Sequence, residues 1–373
     1  VYFQGKKDSV DSLMYEYDGA SIHNVSAGTS GYQIRFSEGI VYGSSLFFRG
    51  LGGAFMIYEF DGDEIKTVAV ESGCSYQKEF QNAVVYDGKL FFLGNNGSDD
   101  LVYVYDGTYI KDVSRGSSDY GTGFAYGIVY SNNLYFQGGP DAFTTKIYEY
   151  DGSAINDVSG EASTYDNGFS NPIVYGSSLY FEGSDGSTNV IFGFDGSDIF
   201  DVDVSVSSDY KDSFSEGVVY GNNLYFKGKN DSNYVMYDYN GTEVDNVDAG
   251  SSGYSLQFGS GIVYESILYF LGSDGSTNYV YEYDGTAISD VDPGSSTYDS
   301  GFTNSILFGS NLYFQGNDSS KAVIYEYDAT SISDVETGGS DYSKDFIQPI
   351  AYGTTQLLFQ GHDGSKSKIY ALY

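Results

Sequence analysis

Histidine and cysteine, the residues that most often carry nucleophilic catalysis, are scarce in this chain of 373 residues. The two histidines, His23 and His362, lie near opposite ends, and neither stands in a Ser/His/Asp or Cys/His setting. We expect His23 to be a solvated strand residue, because Ser, Lys or Asn fills its repeat position elsewhere. Cys74 is the single cysteine, which excludes an internal disulfide and any Cys-x-x-Cys motif. Nucleophilic catalysis is therefore not predicted.

Carboxylates are abundant: 52 Asp and Glu against 17 Lys and Arg give a formal net charge of −35. Such a surface repels phosphate, so nucleic acid and anionic membranes are not expected partners. No apolar run approaches the roughly 18 residues of a membrane helix, so we expect no membrane insertion. Neighbouring carboxylates such as Asp99 and Asp100, or Asp201 and Asp203, are expected by chance in so acidic a chain. They do not by themselves predict acid and base catalysis.

One set of aspartates recurs at the same place in a repeated loop, beside Gly or Ser: Asp185, Asp274, Asp318 and Asp363. Oxygen ligands on a tight loop can hold Ca²⁺, although the Asp-x-Asp-x-Asp-Gly spacing that brings several oxygens to one ion is absent. We weigh a calcium site at these four residues against an ordinary role in turns. No other cofactor is predicted.

These side chains must be positioned by a repeated unit, which is clearest in residues 262–291. Runs rich in β-branched and aromatic residues alternate there with Gly, Ser, Asn and Asp; the runs are Ile262 to Tyr264, Leu268 to Phe270, Tyr279 to Tyr283 and Ile288 to Val291. Runs of this composition predict strands, and the short gaps between them predict hairpin turns. One unit is therefore predicted to be a four-stranded antiparallel meander.

An Asp-Gly or related pair follows the third run of every unit and marks the period. It begins at Asp18, Asp61, Asp106, Asp151, Asp195, Asn240, Asp284 and Asp328, at intervals of 43 to 45 residues. This period with four strands per unit is typical of a β-propeller blade. No linker, proline-rich hinge or charge block interrupts it, so residues 1–373 are predicted to form a single domain.

The number of runs predicts how the blades close. First and fourth runs each occur eight times, whereas second and third runs occur nine times. The prediction is an all-β, eight-bladed β-propeller of four-stranded antiparallel blades, closed by strands from both termini, with one surplus hairpin. That hairpin, residues 1–18 or 356–373, would pack on a rim, reflect an excerpt from a longer array, or be donated to another subunit of a homo-oligomer. A nine-bladed ring with two three-stranded blades is the alternative.

Two classes of loop are expected on one face. The loop before each first run has an aromatic pair at fixed spacing, such as Tyr254 and Phe258. We expect these rings to pack between blades with the tyrosine hydroxyl in water; the alternative is an exposed platform for sugars. The loop between second and third runs varies, and variable loops on a rigid frame usually carry specificity. The predicted ligand-binding residues are therefore Leu51, Phe55, Asn96, Asp99, Pro140, Phe143, Asp185 and Asp274.

The repeat resembles known propeller classes. The stretches that carry the resemblance are Tyr281-Glu282-Tyr283-Asp284-Gly285-Thr286, Asp290 to Ser296 and Asn311 to Phe314, which are similar to the bacterial secreted repeat with an ELWxxDGT signature. More loosely, Leu179 to Gly183 with Phe194-Asp195 resembles a kelch blade. Tyr281 replaces the signature's tryptophan, and most copies lack the paired glycines of kelch. The resemblance implies a secreted binding or attachment propeller and carries over no catalytic residue.

A rigid repeat frame without a reactive group of residues predicts a non-enzymatic, extracellular or cell-surface scaffold for binding or adhesion. Its partner would be a protein or glycan ligand on the loop face. One alternative is a structural subunit of a homopolymer or filament, joined by the surplus terminal hairpin. A second alternative is a carbohydrate-active enzyme with carboxylates in the central channel, for which a cluster of acidic residues with perturbed ionisation would speak.

Overall fold

The structure is a computed structural model, and it describes residues 1–6, 12–25, 27–28, 30–158, 163–319, 321–335 and 342–373. Every regular element in these ranges is a β-strand. The strands form nine sheets built from consecutive antiparallel hairpins, which we number as blades 1 to 9 along the chain. The protein thus has an all-β fold of the β-propeller class.

Blades 2 to 5 each have four strands in sequential order. Blade 2 contains Ile34–Tyr42, Ser45–Leu51, Phe55–Phe60 and Ile65–Thr67, and blade 3 contains Lys78–Tyr86, Lys89–Asn95, Asp100–Tyr105 and Ile110–Asp112. Blade 4 contains Thr122–Tyr130, Asn133–Gly139, Lys146–Tyr150 and Ile155–Asp157, and blade 5 contains Asn167–Tyr175, Ser178–Ser184, Asn189–Phe194 and Ile199–Asp201. The four-stranded meander predicted from the sequence is confirmed in these blades.

Blades 6 to 8 repeat the same order. Blade 6 contains Asp212–Tyr220, Asn223–Lys229, Tyr234–Tyr239 and Glu243–Asn246, and the short strand Asp203–Val204 pairs parallel to its last strand. Blade 7 contains Leu256–Tyr264, Ile267–Ser273, Asn278–Tyr283 and Ile288–Asp290. Blade 8 contains Ser300–Phe308, Asn311–Asn317, Ala322–Tyr327 and Ile332–Asp334.

The two terminal blades have three strands each, and they correct the predicted blade number. Blade 1 contains Tyr2–Lys6, Ser12–Tyr17 and Ile22–Asn24, and blade 9 contains Lys344–Tyr352, Gln356–His362 and Ser367–Leu372. Strands from the two ends do not share a sheet among the described residues, so the prediction of eight blades closed by both termini is wrong. The alternative of nine blades, two of them three-stranded, is the observed one.

The physical reason is that each terminal set of strands packs against its neighbouring blade in a separate hydrophobic cluster. Met14 of blade 1 is buried in a cluster with Tyr32 and Phe48, and Phe346 and Leu357 of blade 9 are buried in another. Neither terminal hairpin is surplus, because both are parts of sheets with a buried side. That a terminal hairpin joins subunits of a homopolymer stays a prediction.

The described residues group into two compact units. The first comprises residues 1–187 and 192–201, and the second comprises residues 188–191 and 202–373. Blades 1 to 4 lie in the first unit, and blades 6 to 9 lie in the second. No described segment is a helix of the length and apolarity needed to cross a bilayer.

First strands are longer than the short apolar runs predicted, because part of each is irregular. In blade 7, Leu256 pairs with Ser273 and Ile262 pairs with Tyr269, but the register shifts twice between these pairs. Gln257 and Ser260 adopt positive φ there. Such bulges break the alternation of buried and exposed positions, so hydrophobic periodicity finds only the regular half of the strand.

Aromatic rings fill the core of each blade, as blade 7 shows. Tyr254 meets Phe270 and Tyr281 edge to face at 5.7 and 5.5 Å between ring centroids, a geometry that aromatic pairs favour. Gly272 lies between two of these rings: a Cβ there would stand 2.7 Å from Tyr281 and 2.8 Å from Tyr254. The glycine is needed because no side chain would fit between the rings.

Candidate functional site

Tyrosine hydroxyls of the constant loops join neighbouring blades. Tyr254 accepts a hydrogen bond from the N–H of Met236 in the preceding blade and donates one to the carbonyl of Gln257, both at 2.8 Å. The same acceptor role recurs at Tyr76, Tyr120, Tyr165, Tyr210, Tyr298 and Tyr342, at 2.8 to 3.4 Å across the series. The packing role predicted for these loops is confirmed, but the expectation of wet hydroxyls is wrong.

Short fourth strands explain why these hydroxyls are needed. In blade 6 the fourth strand pairs with Tyr237, Asp238 and Tyr239 only, so the N–H of Met236 has no strand partner on that side. A buried N–H without an acceptor costs about 1–3 kcal/mol, and the tyrosine hydroxyl supplies the acceptor. Tyr32 is an exception, because its buried hydroxyl lies near the backbone of Met14 without forming a hydrogen bond to a described residue.

In blades 3 and 8 the residue before the loop tyrosine faces an aspartate and a second tyrosine of its own blade. In blade 8 the Thr297 hydroxyl donates to Asp334 at 2.8 Å and lies 3.3 Å from the Tyr325 hydroxyl. Ser75 makes the equivalent contacts in blade 3, to Asp112 at 2.6 Å and Tyr103 at 3.0 Å. In these blades the position is therefore closed by a side-chain hydroxyl.

In blade 7 the same position is open, because its residue is Gly253. The backbone N–H of Gly253 still donates to Asp290, at 3.2 Å. However, the Tyr281 hydroxyl has no hydrogen-bond partner among the described residues, although only 1% of this side chain is exposed. The hydroxyl group can therefore form a hydrogen bond with a group in the space beside it.

A cavity of about 420 Å³ lies at this place, within the usual volume range of small-molecule sites. We call it the acidic cleft; it is lined by Gly253, Asp274, Tyr279, Val280, Tyr281, Asp290, Val291, Pro293, Tyr298 and Asp299. Three carboxylates, three tyrosine rings and a proline meet here, without a basic residue. The cleft thus offers hydrogen-bond acceptors beside apolar ring faces.

Charge in the acidic cleft follows from local hydrogen bonds. Asp274 accepts the backbone N–H groups of Ser276 and Thr277 at 2.8 Å, and these bonds lower the pKa of its carboxyl group. Burial, together with the nearby charges of Asp290 and Asp274, raises the pKa of Tyr281 to about 12. Asp274 is therefore ionised and Tyr281 neutral at physiological pH.

A second cavity of about 470 Å³ is formed by the same two blades. We call it the amide cleft; it is lined by Leu271, Ser276, Thr277, Asn278, Ser300, Gly301, Phe302, Thr303, Gln315, Gly316 and Asn317. Its polar groups are hydroxyls and amides, and none of its lining residues is charged. The two clefts have no lining residue in common, but they are lined by adjacent parts of the same segments, 276–281 and 298–303.

The predicted binding residues lie on five different blades. Their positions are blade 2 for Leu51 and Phe55, blade 3 for Asn96 and Asp99, blade 4 for Pro140 and Phe143, blade 5 for Asp185 and blade 7 for Asp274. Only Asp274 lines one of the two clefts. Phe143 is 95% exposed, whereas Phe55 lies under the guanidinium of Arg49, 3.9 Å from its ring centroid. Binding by the other predicted residues stays a prediction.

The predicted calcium residues take part in turns. Asp185, Asp274, Asp318 and Asp363 each stand in the loop between second and third strands of a different blade, where the Oδ1 atom accepts backbone N–H groups. The described part of the chain contains no group of three or more His, Cys, Asp or Glu residues placed to hold a metal. Calcium binding at these residues stays a prediction.

The residues that define the acidic cleft were missed, with the exception of Asp274. A usable signal was present in the repeat itself: Gly253 stands where Ser75, Thr164 and Thr297 carry hydroxyls. The constant aromatic spacing predicted a role for Tyr254, the residue after Gly253. The signal for a site lay instead at position 253, whose residue type varies among the repeats.

No known family profile matches the chain, and no curated protein matches it. Solved structures that are similar include a prolyl endopeptidase, with 15% identity over 89% of this chain and 55% of that one and a TM-score of 0.46. The β-propeller domain of the Trilobed protease from Pyrococcus furiosus has 11% identity over 82% and 98%, with a TM-score of 0.40. The acylaminoacyl peptidase from Pyrococcus horikoshii has 13% identity over 87% and 57%, with a TM-score of 0.39.

The chain spans little more than half the length of the two peptidases, and at these identities the likeness concerns the fold alone. The three structures named here are two peptidases and the propeller domain of a protease. The predictions of a non-enzymatic adhesion scaffold and of a chain that is not an enzyme are therefore wrong, and we do not retain them. The β-propeller class itself is confirmed.

Proposed function

We propose that the protein is carbohydrate-active and that an oligosaccharide lies in the acidic and amide clefts of blades 7 and 8. The observation that carries this proposal is the Tyr281 hydroxyl, which has no hydrogen-bond partner among the described residues and faces a cavity bounded by Asp274 and Asp290. Sugars present hydroxyl groups on an apolar ring, and they need both hydrogen-bond acceptors and aromatic faces. The acidic cleft provides both.

The amide cleft supports an extended ligand. Asn278, Gln315 and Asn317 place side-chain amides there, and Ser300 and Thr303 place hydroxyls there. Amides donate and accept hydrogen bonds, which suits the hydroxyl groups of a second sugar unit. We therefore place one end of the oligosaccharide in each cleft.

Hydrolysis of a glycosidic bond requires two carboxyl groups, one protonated and one ionised. In the acidic cleft the ionised role falls to Asp274, whose pKa is lowered by the N–H groups of its own turn. The second carboxyl group would come from Asp290 or Asp299, since both line the same cavity. This arrangement moves the carbohydrate-active alternative from a central channel to the cleft between two blades.

The proposal is tested by titration calorimetry with a panel of oligosaccharides and by measuring the release of reducing ends. Asn278→Ala should weaken binding about tenfold, because an amide donor and acceptor are lost from the amide cleft. Asn189→Ala changes the equivalent residue of blade 5 and should leave binding unchanged. Binding without cleavage would contradict the hydrolytic part, and an absence of binding would contradict the whole proposal.

An extracellular location is part of this proposal. It is supported by the low lysine and arginine content, by the many Ser, Gly, Asn and Asp residues, and by the resemblance of Tyr281 to Thr286 to a secreted repeat. A carbohydrate polymer outside the cell would be accessible to a secreted propeller. Recovery of the protein only from the cell interior of its source would contradict this part.

A further inference from the structure

In blades 1, 2 and 8 the side chain before the glycine of the second-strand run contacts the next blade. Gln315 of blade 8 accepts the backbone N–H of Phe346 in blade 9 at 2.8 Å. Gln4, which precedes Gly5 in blade 1, accepts the N–H of Phe36 in blade 2 at 3.0 Å. In these blades the N–H group of the loop phenylalanine is thus a donor directed at the preceding blade, and a side-chain oxygen of that blade accepts it.

Blade 2 has a cation at the same position, and blade 3 supplies its partner. Arg49 donates to the Glu79 carboxylate of blade 3, through Nε at 2.9 Å and through Nη2 at 2.8 Å. Glu79 is the residue before the loop phenylalanine, Phe80. The guanidinium also lies over the ring of Phe55, 3.9 Å from its centroid. The cation of blade 2 is therefore paired with a carboxylate of the next blade.

Blade 6 has such a cation, but the carboxylate of the next blade is missing. By repeat position Lys227 corresponds to Arg49, and Gln257 of blade 7 corresponds to Glu79. The Lys227 ammonium lies 4.0 Å from the carboxylate of Glu216 in its own blade, which is beyond hydrogen-bonding distance. This ammonium group forms no hydrogen bond to a described residue. Its three donors are therefore available to another acceptor.

The loop phenylalanine of blade 7 also lacks the acceptor that Gln315 gives to Phe346. Lysine carries donors only, so Lys227 cannot accept the N–H of Phe258. In the part of the chain that the structure describes, no side chain accepts this N–H. By repeat position a charged donor of blade 6 and a backbone donor of blade 7 thus lie where blades 8 and 9 have a donor and an oxygen.

A second ammonium group and an aromatic ring adjoin Lys227. The Nζ atoms of Lys227 and Lys229 lie 5.9 and 5.8 Å from the centroid of the Tyr234 ring, which is 45% exposed. Lys229 lies 3.8 Å from the carboxylate of Asp212, again beyond hydrogen-bonding distance. We call Lys227, Lys229, Tyr234 and the N–H of Phe258 the lysine site. It offers several donors beside one accessible ring.

Loose pairing sets these two lysines apart within an acidic chain. Lys111 and Lys368 donate to their aspartates at 2.6 and 2.7 Å. The formal net charge of −35 disfavours anions at long range, but salt screens charges beyond about 8 Å at physiological ionic strength. Exposed ion pairs as loose as those of Lys227 and Lys229 contribute little. An anion that accepts directed hydrogen bonds can therefore compete with them.

The lysine site adjoins the amide cleft. Gly259, which follows Phe258, pairs with Leu271, and Leu271 lines the amide cleft. Neighbouring strands lie about 4.8 Å apart. A Cβ on Gly259 would meet no atom within 4 Å, so the space beside this residue is open. The two sites are therefore bordered by adjacent strands of blade 7.

We infer that the lysine site binds the carboxylate of a uronic acid unit, which continues the saccharide of the amide cleft toward blade 6. This inference rests on the proposed carbohydrate-active function and narrows its ligand to acidic oligosaccharides. A carboxylate has two oxygens that only accept, which matches a site made of donors. One oxygen accepts the N–H of Phe258, and the other accepts a charge-assisted hydrogen bond from Lys227. The sugar ring packs on Tyr234.

The experiment compares three probes by titration calorimetry on the full chain: xylose oligomers that carry one glucuronic acid unit, the methyl esters of the same oligomers, and sodium glucuronate. The acid oligomers should bind about tenfold or more tightly than the esters, since esterification removes the charge. Glucuronate should compete with the acid oligomers. Raising the salt concentration should reduce the preference for the acid, because ion pairs are screened.

Three variants make the test specific. Lys227→Gln introduces the side chain that Gln315 has in blade 8 and removes the charge, so the preference for the acid oligomers should fall to about threefold or less. Gln257→Glu keeps the lysine and adds the carboxylate that Glu79 provides in blade 3, so it should lower the preference as well. Lys78→Gln makes the same charge change on an exposed residue of blade 3 and should leave the preference unchanged.

The outcomes separate this inference from the proposed function. Equal affinity for acid and ester oligomers would overturn the carboxylate site while leaving the saccharide site in place. Glucuronate binding that is lost in Lys227→Gln, without binding of any oligomer, would support the carboxylate site and overturn the oligosaccharide proposal. A lack of binding by all three probes would overturn both. Thermal unfolding of each variant, monitored by circular dichroism, checks that the fold is retained.

Discussion

Blades 7 and 8 have the same backbone at the residue before the loop tyrosine, but they differ in what this residue does. In blade 8, Thr297 donates to Asp334 and pairs with the Tyr325 hydroxyl, so the position is closed and its polar groups are satisfied. In blade 7, Gly253 leaves Tyr281 unpaired beside a cavity. A single side chain therefore separates a structural position from a candidate binding site.

The comparison shows how a repeat can acquire a site without changing its frame. Loss of a hydroxyl-bearing side chain removes one hydrogen-bond partner and opens volume, while strand pairing and the inter-blade bond of Tyr254 remain. The cost is limited to the unpaired groups, and a ligand that pairs with them recovers it.

Closing the cleft should have the largest effect. Gly253→Thr would reproduce the arrangement of Thr297, and a Cβ at this position meets no atom closer than 3.8 Å. We expect binding of the saccharide to weaken about 100-fold, because the new side chain occupies its place. Stability should rise by roughly 0.4–1 kcal/mol, since the unfolded chain loses freedom. Titration calorimetry and urea unfolding measure the two effects.

The control for this variant is Ser75→Thr, which makes the side chain of the equivalent residue in blade 3 bulkier and keeps its hydroxyl. It should leave saccharide binding unchanged. If Gly253→Thr retains the affinity of the original protein, the ligand does not occupy the acidic cleft.

Removing the hydrogen bond by which a loop tyrosine joins its blade to the preceding blade should have the next largest effect. Tyr254→Phe removes the acceptor of the Met236 N–H, so the free energy of unfolding should fall by about 1–3 kcal/mol. Tyr32→Phe is the matched control, because the Tyr32 hydroxyl forms no hydrogen bond to a described residue, and its loss should not destabilise the protein. Equal losses for the two variants in urea unfolding would show that ring packing, not the hydroxyl, joins the blades.

Opening blade 8 is the reverse of closing blade 7. Thr297→Gly removes the hydroxyl bonds to Asp334 and Tyr325, so we expect a loss of about 1–2 kcal/mol in the free energy of unfolding. It should also create a second, weaker binding position, seen as an increased stoichiometry in calorimetry. An unchanged stoichiometry would mean that the surrounding residues of blade 7, and not the missing side chain alone, define the site.

The smallest effect concerns the turn after the third strand, which is present in both blade 7 and blade 8. The N–H groups of Thr286 and Ala287 lower the pKa of Asp284, so its contribution to stability is present above the ordinary aspartate pKa of about 4 and is lost as the pH falls through the lowered value. Asp284→Asn keeps both bonds, as Asn240 does in blade 6, and does not titrate. In urea unfolding below pH 4 the variant should lose less stability than the original protein. Parallel curves for the two proteins would contradict this assignment.

Much of the fold follows from local patterns. The run from Tyr279 to Tyr283 and the Asp284-Gly285 turn predicted a strand and a hairpin because β-branched and aromatic residues and turn residues act through nearby backbone. The irregular half of the first strand, such as Gln257 to Ser260, was not predicted, since bulges interrupt the pattern. Within the candidate site, Asp274 was predicted and Tyr281 was not.

The sequence by itself determined the repeat, its four strands, its turns and its acidic charge, because these depend on composition and on spacing within about 45 residues. Only the tertiary structure decided that the terminal strands form two separate blades, since a count of strands does not say which sheet buries them. The structure also decided that Gly253 opens a cleft beside Tyr281 and Asp290, because these three residues come from a loop and two different strands. A cavity is a property of packing between such residues, and no local pattern contains it.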